Sequence, residues 1–140
     1  MKIEFDDNYF MSKAIDEAKI ALSKGEVPIG AVIVADNKII ARAHNMVEAL
    51  NDVTAHAEIL AITSASNYIG GKYLENCSIY VTLEPCQMCA GALYWSRISK
   101  IYFGAEDPKR GFKKSGTKLH PKTKVFGGIL QNESKDLLDK

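Results

Sequence analysis

Cysteine is scarce in this 140-residue chain: there are three, an odd number that makes no disulfide framework. Four prolines and ten glycines are too few for a collagen or a proline-rich disordered chain. Neither sign of charge dominates, since 18 basic and 17 acidic side chains leave +1, so the molecule as a whole shows no pull toward a polyanion. No apolar run approaches the roughly 18 residues of a membrane span. The longest, such as residues 29–35, are far shorter. The start, Met1-Lys2-Ile3-Glu4-Phe5-Asp6-Asp7, places three acids where a secretory leader has its basic and apolar regions, which predicts a cytoplasmic protein.

What is present is a globular composition, 46% hydrophobic and 25% charged, expected to form one domain over residues 1–140. A chain of this length buries about two-thirds of its unfolded surface and needs no staple to hold its core. The near-zero charge hides a gradient. Residues 1–70 carry six basic and ten acidic side chains (net −4), and residues 71–140 carry twelve and seven (net +5). Nine of the basic residues fall between Arg97 and Lys124, against only Glu106 and Asp107. Such a stretch is either a solvated lysine face or a phosphate contact.

Asp7 or Asn8 caps a predicted helix with apolar positions Phe10, Ala14, Ala18, Ala21 and Leu22, ending at Gly25. Residues 29–35 and 38–42, separated by Asp36-Asn37, read as a β-hairpin. Residues 43–53 read as loop, and Thr54 as the cap of a helix reaching Tyr68. Residues 78–83 read as a strand, 86–96 as a small-residue helix, 100–105 as a strand, 107–124 as loop, 125–126 as a short strand, and a last helix starts near Asn132. Helices alternate with strands, so the fold class is α/β.

Three segments hold usable chemistry: Thr54-Ala55-His56-Ala57-Glu58, Glu84-Pro85-Cys86-Gln87-Met88-Cys89 and, with a weaker signal, the loop around Asn45. Cys86 and Cys89, three apart in the first turn of a helix, share a face, and the positive helix end favours their thiolates. With His56 they make three ligands, one short of a closed tetrahedral zinc site, and an open position marks a catalytic zinc. Glu58, two residues from His56, suits a proton shuttle for water activated there, so the constellation reads as hydrolytic. A closed structural site would need a fourth ligand, for which Cys77, His44 and His120 are candidates, although Cys77 reads as a buried small hydrophobe. A thioredoxin-like pair would leave His56 and Glu58 without a role.

His56-Ala57-Glu58 with Pro85-Cys86-x-x-Cys89 resembles the zinc-dependent cytidine deaminase superfamily. Residues 27–32, Asn45, 54–59, 82–92, 96–98 and 103–105 are similar to bacterial tRNA adenosine deaminases. The resemblance implies a three-layer α/β/α sandwich on a mixed five-stranded sheet, a homodimer, and one Zn2+ per chain on His56, Cys86 and Cys89. It implies Glu58 as general acid/base, Asn45 and the Ala57 amide as hydrogen-bond partners of a flipped base, and Asp107 in the RNA-contacting loop. The implied reaction converts adenosine to inosine at the wobble position of a tRNA anticodon loop. Tyr94-Trp95 is similar instead to the free guanine deaminase branch, so a free guanine or cytosine deaminase is the alternative, and a zinc-stabilised binding module the non-enzymatic one. The resemblance also leads one to expect the last helix to run past Lys140 with aromatic and basic residues.

Overall fold

The computed structural model describes residues 3–140; Met1 and Lys2, the first of the residues read for a leader, lie outside the described residues. Helix α1 (Asp7–Ser23) is capped by Asp6, one residue before the expected position, because Asp6 is extended and its Oδ1 accepts the Tyr9 N–H at 2.8 Å. Strands β1 (Gly30–Ala35) and β2 (Lys38–His44) form the expected hairpin. Asp36 and Asn37 have φ of 50° and 59°, the left-handed pair that a tight type I′ turn requires. Three further strands complete the sheet: β3 (Cys77–Leu83), β4 (Lys100–Ala105) and β5 (Lys124–Phe126). The order is β2-β1-β3-β4-β5, with β1 antiparallel to both neighbours and β3, β4 and β5 parallel, the mixed five-stranded sheet implied by the resemblance.

Period-two alternation sorts the strand residues between two helical layers. On one face Val32, Val34, Tyr80 and Tyr102 pack with Phe10, Met11, Ala14 and Ala18 of α1 and Leu137 of helix α6 (Gln131–Leu138). On the other, Ala31, Ile33, Ile79, Val81, Ile101 and Phe103 join residues of α3 (Ala57–Ile69) and α4 (Gln87–Ser96). Alanines at 57, 61, 65 and 90 let these two helices approach the sheet closely. Among the described residues, no helix is long and apolar enough to cross a membrane.

Two segments expected to be loop each contain a single helical turn, α2 (Val47–Leu50) and α5 (Phe112–Ser115). The contact of α1 with β1 is so close that a Cβ on Gly30 would lie 2.1 Å from the Ala14 carbonyl oxygen. Gly30→Ala is therefore expected to destabilise the protein by about 1–3 kcal/mol, because helix and strand must separate. Urea unfolding checks this, and an unchanged midpoint would contradict the packing.

Candidate active site

The carboxyl end of β3 and the N-termini of α3 and α4 converge, and each helix delivers two side chains at its start. His56 is the N-cap of α3 and Glu58 lies in its first turn. Thr54 is not the cap, because its N–H and hydroxyl are both engaged by Asp52 Oδ1 at 2.8 Å. Cys86 is the N-cap of α4, with Cys89 in its first turn. His56 Nδ1 stands 3.8 Å from Cys86 Sγ and 3.5 Å from Cys89 Sγ, and the three ligand atoms lie within 4.8 Å of one another. Around a tetrahedral ion with ordinary Zn–S and Zn–N lengths, a sulfur and a nitrogen stand about 3.6 Å apart, so this geometry fits zinc.

Among the described residues no fourth His, Cys, Asp or Glu joins this group. Cys77 is buried in the core, where burial pushes its thiol up. His44 Nδ1 lies 3.1 Å from Glu17 Oε1, and His120 Nδ1 accepts the Lys122 N–H. None of the three candidates for a closed structural site belongs to the group.

A hydrogen bond from Cys89 holds the Cys86 thiol down to about 5, with burial opposing and the N–H groups of Cys89 and Met88 assisting. The same bond and burial push Cys89 up. Glu58 is only 4% exposed, its Oε1 is buried without a hydrogen-bond partner, and burial raises its carboxyl to about 7. A buried, unpaired carboxylate oxygen beside two thiols and an imidazole is unfavourable for folding alone and fits a site that is completed by a ligand.

These groups open into a cavity of about 430 Å³, lined in part by Asn45, His56, Glu58, Cys86, Asp107 and Arg110. That volume is in the range of small-molecule sites. Asn45 Oδ1 accepts the Ala57 N–H at 2.8 Å, so the two groups expected to meet the base are bonded to each other and the Asn45 amide nitrogen is the donor left for a ligand. Asp107 also lines the cavity, and its Oδ1 accepts the N–H groups of Lys109 and Arg110. The basic stretch does not act as one surface. Lys109 and Arg110 line the cavity, whereas Arg97 lies over the Tyr73 ring at 4.2 Å and Lys113 pairs with Glu106 at 3.6 Å.

One contributor escapes the sequence reading. The buried Glu26 accepts the N–H groups of Glu48 and Ala49 at 3.0 and 2.8 Å, which builds α2 on the cavity wall beside Asn45. Nothing at Glu26 announces this, since its partners lie more than twenty residues away.

Residues 5–105 match the family described as the cytidine and deoxycytidylate deaminase zinc-binding region. A tRNA-specific adenosine deaminase of Agrobacterium fabrum is 45% identical over 136 residues, covering 93% of this chain and 90% of that protein. This chain belongs to the tRNA-specific adenosine deaminases. The family likeness extends to structure: a protein solved in a study of A-to-I editing by tRNA:A34 deaminases at the wobble position of transfer RNA superposes with a TM-score of 0.85. It is 43% identical, with 93% of this chain and 99% of that one covered. The guanine deaminase of Bacillus subtilis is 37% identical with a TM-score of 0.70, covering 80% of this chain and 69% of that one. Within this deaminase fold, neither Tyr94 nor Trp95 lines the cavity, and Trp95 is 76% exposed beside Tyr73 and Ile62.

Proposed function

We propose that this protein hydrolyses adenosine to inosine and ammonia at the wobble position of a tRNA anticodon loop. The observation that carries the reading is the buried, unpartnered Glu58 Oε1 beside His56, Cys86 and Cys89, in a cavity with room for a base. His56, Cys86 and Cys89 hold one zinc ion per chain. When bound, zinc supplies the acidity that makes water a nucleophile near neutral pH. Glu58 takes the proton of the attacking water and delivers it to the purine ring nitrogen, then takes the proton of the added hydroxyl and delivers it to the amine, which leaves as ammonia while the carbonyl of inosine forms. The Asn45 amide nitrogen orients the base. The Ala57 amide bonds it only if Asn45 Oδ1 releases that N–H.

Asp107, Lys109 and Arg110 meet the RNA at the cavity mouth. Exposed Trp95 and Tyr73, which share one groove with Ile62 beside α3 and α4, support a homodimer, since aromatic side chains left uncovered together on a folded surface mark interfaces. The bacterial relatives act on tRNA, which supports a cytoplasmic location. The reading is tested by incubating the protein with an anticodon stem-loop bearing a wobble adenosine and, separately, with free guanine, cytosine and adenosine, while measuring inosine and ammonia. Inosine in the stem-loop is expected. Turnover confined to a free base would overturn it in favour of the guanine or cytosine reading.

Phosphate contacts release counterions, so KM for the stem-loop should climb steeply with salt. Replacing Lys109 and Arg110 together by Ala is expected to raise KM and to lower the slope of log KM against log salt by about 2. An unchanged slope would place the phosphate contacts elsewhere.

A further inference from the structure

Glu84 immediately precedes the Pro85-Cys86 pair and is 4% exposed, yet no lysine, arginine or histidine pairs with it among the described residues. Its carboxylate is satisfied by backbone alone. Oε1 accepts the Asp107 N–H at 3.0 Å and Oε2 accepts the Lys113 N–H at 3.0 Å. The two donors are the ends of the segment that carries Lys109 and Arg110 along the cavity. One carboxylate thus closes residues 107–113 into a loop of fixed span, through charge-assisted hydrogen bonds of the stronger kind.

The loop is shaped to receive that carboxylate. A Cβ at Gly111 would lie 2.3 Å from Glu84 Cδ and Oε2, so only glycine leaves room for it. The neighbouring backbone adds a seam, because the Phe112 N–H donates to the Pro85 carbonyl at 2.9 Å and Gly111 bridges Cys86 in antiparallel fashion. The strand end that presents Cys86 therefore also holds the loop that presents Asp107, Lys109 and Arg110.

We propose that Glu84 is a positioning residue whose buried carboxylate clasps residues 107–113, fixing Asp107, Lys109 and Arg110 relative to Cys86 so that RNA enters in register with the metal group. This deepens the RNA reading above and rests on it. Glu84 borders the same cavity, but both of its carboxylate oxygens are taken by the Asp107 and Lys113 N–H groups, so its loss acts on substrate capture. A glutamine keeps one acceptor oxygen and turns an NH2 group toward the second N–H, which opens one end of the clasp. Gly111→Ala opens the clasp from the loop side by pushing the loop and the carboxylate apart, and it keeps the carboxylate's charge.

Glu84→Gln and Gly111→Ala are compared with the zinc-loaded wild type by stem-loop kinetics, zinc content and amide hydrogen exchange. Both variants are expected to raise KM about tenfold or more while kcat changes less than about threefold, the signature of lost binding without lost chemistry. Zinc content should be unchanged, and the Asp107 and Lys113 amides should exchange at least about tenfold faster, as befits lost charge-assisted bonds. Wild-type KM, wild-type exchange, or a fall in kcat accompanied by zinc loss would each overturn the proposal. If Glu84→Gln does not fold, Gly111→Ala carries the comparison alone. A wild type that deaminates only free bases would overturn the RNA reading itself, and the exchange rates would still decide whether Glu84 clasps the loop.

Discussion

Glu58→Gln is expected to keep its zinc and to lose at least about 100-fold in kcat, the scale of a positioned general acid/base. The carboxamide has nearly the carboxylate's volume, so it fits a position that is 4% exposed without disturbing His56, Cys86 or Cys89. What it lacks is the ability to take up and release a proton. In the metal-free chain burial raises the carboxyl to about 7, a shift toward holding a proton, which suits a group that must return one. KM should move little, since the proton transfers occur after capture. Single-turnover inosine formation with parallel metal analysis checks this. Activity within about tenfold of wild type would remove Glu58 from the proton path.

Cys89→Ala is expected to empty the metal site and to lower activity by more than about 100-fold, because loss of a mere outer-shell partner already weakens metal affinity by 10–100-fold. His56 and Cys86 alone leave two of the three ligands. The fold should persist. The sheet is covered on both faces by apolar layers that do not pass through the site, as expected of a chain long enough to bury its own core. Circular dichroism and metal analysis on the same sample separate the two effects. Global unfolding on loss of zinc would favour the zinc-stabilised binding module over the enzyme.

The apolar scaffold was the most legible part of the chain. The β-branched run before Asp36-Asn37, the alternation through residues 78–83 and the alanine spacing of 57, 61 and 65 each follow a period that one packed face imposes. The pincer of Cys86 and Cys89 was legible for the same reason, since helical geometry over three residues is local. Its meeting with His56 is a long-range event, and there the motif carried the expectation. The failures were also long-range. α2 and α5 are single turns with no period to read, and α2 exists because Glu26 reaches its amides from over twenty residues away. Thr54 had the right chemistry for a cap, but Asp52 engaged it first, leaving His56 at the N-cap position.

The charge gradient was legible as a count, and the fold divides the stretch by what each side chain meets. Of the nine basic residues between Arg97 and Lys124, Arg97 is spent on an aromatic ring and Lys113 on a carboxylate, while Lys109 and Arg110 reach the cavity. Sequence counts charges, but only the fold decides which of them face the same ligand. A net charge of +1 therefore suits a protein that grips one loop of RNA and has no general affinity for phosphate.

The most direct measurement is the position of inosine in a full-length tRNA with adenosine at the wobble position, after treatment with the zinc-loaded protein and read by reverse transcription, in which inosine is copied as guanosine. A single adenosine-to-guanosine change at the wobble position, absent with Glu58→Gln, is the expected result. No change, or changes scattered over other adenosines, would contradict the account.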